Sequence, residues 1–307
     1  MQTWGHNRYY TLDHYIKETY KEKLYKISLN GNMTCPNRDG TISFGGCIFC
    51  SEGGSGDFAG SSMDTITMQL EKGKDLLKSK TSATSYIAYF QAFTNTYGSL
   101  EYLHKIFYEA IADPSVKILS IATRPDCLSD EILDLLTQLN SIKPVWIELG
   151  LQTASDSSAD FIRRGYPLSV FEHAVNELNK RHISIIVHTI MGLPSEEKRG
   201  IIHTIRYLNT LPIQGIKLQL LHVLEHTDLA LHYKEHPFWI PTLPEFLELL
   251  GECICELRPD IVIHRITGDG PKDILIEPKW TGSKHYVLNS IAKFLKEEDI
   301  WQGKNYY

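Results

Sequence analysis

Nowhere in the 307 residues does an apolar run approach the roughly 18–20 residues that a membrane-spanning helix needs. The opening stretch, MQTWGHNRYYTLDHYIKETYKEKLY, lacks an apolar core segment and a small-residue cleavage site, so no signal peptide is expected. Long runs of one charge, internal repeats and low-complexity tracts are also missing, which leaves an ordinary soluble protein. A formal net charge of -6 neither demands nor excludes a nucleic-acid partner, because binding needs a local basic face rather than a basic total. Cysteine is scarce, with six residues in all. Without a secretory signal the expected compartment is the reducing cytoplasm, where closely spaced cysteines are read as metal or redox chemistry before disulfides. With 42% hydrophobic content the chain can bury a large core. That size suits one large α/β domain with an appendage, or two domains at most.

From residue 85 to 221 short β-rich runs alternate with helical patterns. SYIAYFQ (85–91), KILSIA (117–122), VWIELGL (145–151), ISIIVHTIM (183–191) and IKLQLL (216–221) read as strands. They are mostly continuous apolar runs, as expected when both sheet faces are covered. Ser129 is placed to cap a helix carrying Ile132, Leu135, Leu136 and Leu139, and Ser169 with Glu172 reads as a capping box. Another helix carries Leu100, Leu103 and Phe107. Strand YKISLN (25–30) and a helix from about Asp64 bring the count to about six βα units. Such units build a parallel sheet, open or curled into a barrel, with ligands at the carboxyl ends of its strands. After residue 222 the pattern changes: a helix capped by Thr242 and Glu245, a strand DIVIH (260–264), a loop RITGDGPKD and a helix near 284–298. The expected organisation is an N-terminal extension (1–24), a core domain (25–222) and an appended α/β segment (223–307).

The informative stretch is NGNMTCPNRDGTISFGGCIFCSEGGSGDFAG, residues 30–60, which follows the first strand. It spaces Cys35, Cys47 and Cys50 as C-x11-C-x2-C. Three thiolates suit three irons of a 4Fe–4S cluster, which normally takes four cysteines, leaving the fourth iron open to a small ligand. Glycines let the backbone wrap closely around a bulky cluster. Phe49 can present an apolar face to the bound ligand. Zinc is the competing reading, since C-x2-C is also half of a zinc ribbon. A thioredoxin-type pair fits less well, because such pairs open a helix.

These residues and their continuation resemble the radical SAM superfamily, and within it the YhcC/YtqA branch, related to the radical SAM domain of the Elongator catalytic subunit. The gap of eleven residues departs from the commonest C-x3-C-x2-C spacing but is similar to that branch. YFQAFTNTYGS (89–99), IATRPDCL (121–128), WIELGLQT (146–153), RRGY (163–166), VHTIMGLPSE (187–196) and HRITGDGP (264–271) carry the resemblance along nearly the whole chain. It implies a partial (β/α)6 TIM-type barrel with a small C-terminal α/β extension. It also implies a 4Fe–4S cluster on Cys35, Cys47 and Cys50, and S-adenosylmethionine (SAM) as cofactor. Gln91, Thr94 and Asn95 would lie near the SAM amino group, Gln152 and Arg164 near its ribose and carboxylate. Met191, Gly192 and Leu193 would pack on adenine. Arg124, Glu148 and His188 are the catalytic candidates.

Each has a plainer reading. Arg164 beside Arg163 reads also as exposed surface charge. His188 reads as a satisfied core histidine, Cys253 as core and TGDGP as a turn. Glu148 in an apolar strand resists dismissal, because a buried unpaired carboxylate is costly.

The implied chemistry is reductive cleavage of SAM to a 5′-deoxyadenosyl radical that abstracts a substrate hydrogen. The chain's end at 307 leaves no room for an acetyltransferase domain, so acetyl-CoA chemistry is not expected. The branch implies maturation of the tRNA wobble uridine, from 5-carboxymethylaminomethyl to 5-aminomethyl, for methylation by a separate enzyme. A flavodoxin- or ferredoxin-type electron donor would be a further partner. Lys17, Lys21, Lys23 and Lys26 interleave with Tyr9, Tyr10, Tyr15, Tyr20 and Tyr25, a pattern that suits RNA or an amphipathic helix packed on the barrel. Lys279, Trp280 and Lys284 form a second candidate patch. Two other functions stay open: a radical SAM enzyme acting on a small metabolite, and a zinc-stabilised binding protein.

Overall fold

The parallel strands anticipated from the apolar runs all form. In a computed structural model, which describes residues 3–54, 56, 59–79, 81–194, 196–197, 199–268 and 270–306, they are β1 (Tyr25–Leu29), β2 (Tyr86–Phe90), β3 (Val116–Thr123), β4 (Val145–Gln152), β5 (Ser184–Met191) and β6 (Gly215–Leu220). After a two-residue β7 (Val223–Leu224) comes β8 (Val262–Arg265), which pairs parallel with β6. The sheet therefore has seven strands in the order β1-β2-β3-β4-β5-β6-β8. The strand expected in the appended segment thus joins the main sheet. A later strand, β9 (Leu275–Glu277), pairs antiparallel with β7.

Helices α2 (Ile66–Lys78), α3 (Leu100–Ala112), α4 (Asp130–Ile142), α6 (Leu168–Lys180) and α7 (Gly200–Leu208) cover the outer face, with the short α5 (Asp156–Phe161) between α4 and α6. Thr65 and Ser99 cap α2 and α3 through their side chains. Helix α8 (Asp228–Glu235) follows β7, and α9 (Leu243–Glu256) begins with the expected Thr242–Glu245 capping box. The capping box expected from Ser169 and Glu172 does not form. Pro167 occupies the cap and starts α6 two residues earlier, and Glu172 instead accepts a hydrogen bond from the Tyr207 hydroxyl at 3.1 Å. Ser129 stands at the cap of α4 without a side-chain hydrogen bond. Helix α10 (Lys284–Glu297) closes the chain. Among the described residues no helix is long and apolar enough to cross a membrane.

Period-two alternation divides the sheet into two faces. Ala88, Phe90, Leu119, Ile121, Ile147, Leu149, Ile185, Val187, Ile216 and Leu218 join the large outer core beneath the helices. The alternate residues face inward, and contacts across strands show how strongly the sheet curls. Lys26 on β1 and Lys217 on β6 both reach Glu148 on β4, and Lys217 meets the Tyr89 hydroxyl on β2 at 3.0 Å.

The interior of this half-barrel is layered. At the amino-terminal end Ile87, Ile118, Trp146 and Ile186 form an apolar cluster with Ile16 of helix α1 (Leu12–Tyr20). Helix α1 thus plugs the barrel floor, with Leu12, Tyr15 and Tyr20 packed on the same cluster. Those tyrosines are consequently not a free stacking surface. In the second patch the Trp280 indole N–H donates to the Pro241 carbonyl and its ring packs on Phe246, so Trp280 is likewise committed.

Candidate active site

The cysteine loop leaves the carboxyl end of β1 and folds back on itself. Ile42 N–H donates to the Pro36 carbonyl at 2.8 Å, and Asp39 bridges to Phe44. The eleven intervening residues thus form a small hairpin that returns Cys47 to the neighbourhood of Cys35. Gly45 and Gly46 make the return with φ of 85° and 86°, a conformation that other residues adopt only under strain. Buried Asn37 ties the turn down, donating to the Arg163 and Arg164 carbonyls and, at 3.6 Å, to the Cys47 sulfur.

All three cysteines line one cavity of about 280 Å³ at the carboxyl ends of the strands. Around them stand Arg38, Phe49, Phe93, Thr94, Arg124, Gln152, Arg164, Tyr166 and Ile190, with Glu148 and His188 below and His222 at the far wall. The Cys47 thiol is pulled down to about 7, first by its hydrogen bond with Cys50 and then by the nearby Arg124 charge; Cys50 is pushed up in turn. Among the described residues no three His, Cys, Asp or Glu side chains are grouped around a point fit for one metal ion. Three thiols bordering an open cavity fit a multi-iron cluster better than tetrahedral zinc.

The two arginines are anchored differently. Arg124 makes a two-pronged pair with Asp126 (2.9 and 2.7 Å) and donates to the Arg164 carbonyl at 2.8 Å. Arg164 is only 1% exposed, which excludes the surface-charge reading. Its guanidinium donates to the carbonyls of Leu151 (3.1 Å), Thr153 (2.7 Å) and Tyr166 (3.0 Å). It thereby satisfies the irregular backbone where β4 ends and Gln152 takes φ of 65°.

Of the remaining candidates, Thr94 and Gln152 line the cavity. Asn95 is fully buried and spends its amide on the Phe90 and Ala122 carbonyls. Gln91 is half-buried at the end of β2. Met191 packs in the outer core and Leu193 in a smaller cluster with Ile48 and Leu221, with Gly192 between them at φ of 83°. Of the TGDGP turn, Asp269 lies outside the described residues, as do Ser195 of the VHTIMGLPSE stretch and Ser55, Asp57 and Phe58 of the cysteine loop.

Beneath the cavity lies a polar layer drawn from six strands. Glu148 accepts from Lys26 (2.9 Å) and Ser120 (2.8 Å) on one oxygen, and contacts His188 Nε2 (2.7 Å) and Lys217 on the other. Burial alone would raise the Glu148 carboxyl, but Lys217, Lys26 and His188 hold it well below the usual carboxylate range. Burial pushes Lys217 down to about 7 despite that partner. Burial and the Lys217 charge push His188 down to about 4, against the pull of Glu148.

Sequence reasoning missed Lys26, Lys217 and His222 as parts of this site. Lys217 carries the same signal that singles out Glu148, a charge inside an apolar strand run. His222 is flanked by Gly268 and Gly270: a Cβ on Gly268 would lie 2.2 Å from its ring, and its Nε2 sits 3.1 Å from the Thr281 hydroxyl.

A parallel half-barrel whose first βα loop turns three thiols onto a cavity above a charged floor defines an iron–sulfur enzyme of the barrel type. The sequence matches the Radical SAM superfamily over residues 35–208 and the Radical SAM C-terminal domain over 213–297. It is 40% identical over 297 residues to the uncharacterized protein YtqA of Bacillus subtilis strain 168, covering 97% of this chain and 92% of that one. It is 31% identical over 286 residues to YhcC of Escherichia coli strain K12, covering 93% and 91%. Among solved structures it resembles the Elp3 protein of Methanocaldococcus infernus lacking its N-terminus, with TM-score 0.69 and 14% identity, over 91% of this chain and 64% of that one. Coproporphyrinogen III oxidase of Escherichia coli matches with TM-score 0.51 and 14% identity, over 76% and 52%. These structural likenesses speak for the fold. The chain belongs to the radical SAM superfamily, whose members use a 4Fe–4S cluster and SAM and draw on an electron donor.

Proposed function

We propose that this radical SAM enzyme modifies the tRNA wobble uridine, converting a 5-carboxymethylaminomethyl side chain to 5-aminomethyl. The observation that carries the reading is the cavity. Apolar Ile190, Leu221 and Leu224 stand there beside the hydrogen-bonding groups of Gln152, Gln219 and His222, a lining that suits a flat polar ring. The resemblance to the YhcC/YtqA branch supplies the nucleoside. A flavodoxin- or ferredoxin-type protein would deliver the electron, and a methyltransferase would act on the product.

When bound, the cluster and SAM supply a 5′-deoxyadenosyl radical that takes a hydrogen atom from a substrate carbon. The protein's share is placement. Cys35, Cys47 and Cys50 would hold the cluster, and Phe49 with the glycine turns would shield it. Arg124, fixed by Asp126, sets a positive charge beside the thiols. Gln152 and Thr94 offer hydrogen bonds at the mouth, while Glu148 and His188 form the floor on which the substrate side chain rests. The plug formed by α1 keeps water from entering below.

The test is anaerobic. The protein is reconstituted with iron and sulfide, reduced, given SAM, and assayed for 5′-deoxyadenosine with and without tRNA from a strain lacking this gene. The expected result is cleavage stimulated by tRNA, conversion of the wobble nucleoside, and loss of both in Cys47→Ala. Cleavage indifferent to tRNA, with no change in the nucleosides, would refute the substrate.

A further inference from the structure

We infer that His188 is a fixed hydrogen-bond acceptor on the cavity floor, and that the group it receives from the substrate is an N–H donor. The inference rests on the reading above that substrate reacts in this cavity, and names the chemistry of one contact within it.

The argument begins with Glu148, whose carboxylate oxygens can only accept. A neutral His188 facing one of them at 2.7 Å must therefore carry its hydrogen on Nε2. The other nitrogen, Nδ1, is left with a lone pair and has no hydrogen-bond partner among the described residues. It is not sealed in either. Among the described residues the buried partnerless side-chain atoms are Asn37 Oδ1, Asn95 Oδ1, Ser158 Oγ and His264 Nδ1, whereas His188 retains 19% exposure and lines the cavity.

The surroundings keep the ring neutral. Around it are Glu148 from β4, Lys217 from β6, Lys26 from β1 and His264 from β8, while the Tyr89 phenol on β2 and the Arg265 charge on β8 bear on Lys217. Lys26, together with Lys217 wherever it holds its proton, sets positive charge against the single carboxylate of Glu148, so a further positive charge on His188 is unfavourable. Burial and these charges depress the ring to about 4, which leaves it neutral at pH 7. A bare lone pair on this cavity-lining ring repels a carboxylate and accepts a substrate N–H, such as the amine beside the reacting carbon or a base imide.

The experiment has two arms on the reconstituted enzyme. In the first, histidine-selective ¹⁵N NMR at pH 7 reads the tautomer in the diamagnetic oxidised protein, with His188→Gln used to assign the signal. A ring protonated on Nε2 with a bare Nδ1 is expected, and in Lys217→Met the ring should titrate nearer neutrality. A doubly protonated ring or an Nδ1–H tautomer in the parent would overturn the inference. In the second arm, tRNA-dependent 5′-deoxyadenosine formation is compared in His188→Asn and His188→Gln at matched iron and sulfide content. Asparagine keeps a polar atom near where Nδ1 stood; glutamine keeps one near Nε2, the partner of Glu148. The expected result is a loss of about tenfold or more in the glutamine variant and a smaller loss in the asparagine one. A glutamine variant as active as the parent would overturn the acceptor role even with the tautomer as expected. If the parent itself ignores tRNA, the substrate reading fails separately, and the tautomer decides the acceptor role.

Discussion

Replacing Glu148 by glutamine would remove the one carboxylate found in the polar layer among the described residues while keeping its volume and one of its two acceptor oxygens. Glu148 is wholly buried, and its partner Lys217 is 6% exposed, so the lysine cannot turn to solvent. Breaking one side of a buried charge pair costs about 3–5 kcal/mol, because the other charge is left uncompensated. For a chain of this size about 2 °C of melting temperature is lost per kcal/mol, so a drop of about 6–10 °C is expected. The pH dependence follows from the direction of the lysine's shift. Its folded value is already lowered from 10.5 to about 7 and falls further without Glu148. Between folded and unfolded values the unfolded chain holds more protons, so stability rises with pH over that window. The deficit of Glu148→Gln should therefore be larger at pH 6 than at pH 9. Thermal unfolding of the reconstituted protein under argon, followed by circular dichroism at both pH values, measures it. A melting temperature within about 2 °C of the parent at pH 6, or equal deficits at both pH values, would refute the reasoning.

Arg164→Met should lower stability by about 3 kcal/mol or more, since three buried carbonyls lose their donor. Arg164→Lys should recover less than half of that in urea unfolding, because an ammonium cannot span the fork. Gly268→Ala would place a methyl group 2.2 Å from the His222 ring and 3.2 Å from the Leu220 carbonyl oxygen, displacing the imidazole from the cavity wall. Substrate-dependent turnover should fall about tenfold at unchanged iron content; unaltered turnover would remove His222 from the site.

The strands were legible because the outer face of each is unbroken apolar, and the cysteine loop because its C-x2-C pair with a third cysteine reads as a metal site and the stretches downstream carry the family resemblance. Ser169–Glu172 misled because Pro167 is pre-set for helical φ and starts the helix ahead of them. The N-terminal tyrosines suited packing and, somewhat less, RNA; the position of α1 at the barrel floor separates the two. Arg164 was hidden for a different reason. Its partners are carbonyls of β4 and the following turn, which leave no trace in residue types. Lys26, Lys217 and Glu148 lie on strands one, six and four, and only the curl of the sheet brings them together. Paired register does not reveal the layer either: Glu148 pairs with Ile186, while its contact is His188, two residues further along β5. That offset is the tilt of strands in a curled sheet.

The polar layer is not needed to fill the barrel. A set of aliphatic side chains of similar volume would be as stable or more so, since desolvating two lysines and a glutamate consumes most of what their pairing returns. Nor does it supply the thiols that would hold the cluster, which border the cavity above it. What the charges do that aliphatic groups could not is fix one imidazole in one tautomer at the cavity floor. Lys26 and Ser120 hold one oxygen of Glu148, Lys217 holds the other, and the carboxylate thus has a single orientation to offer His188. The apolar plug of α1 below keeps water from competing for those oxygens, so the same helix that closes the fold keeps the floor of the cavity rigid.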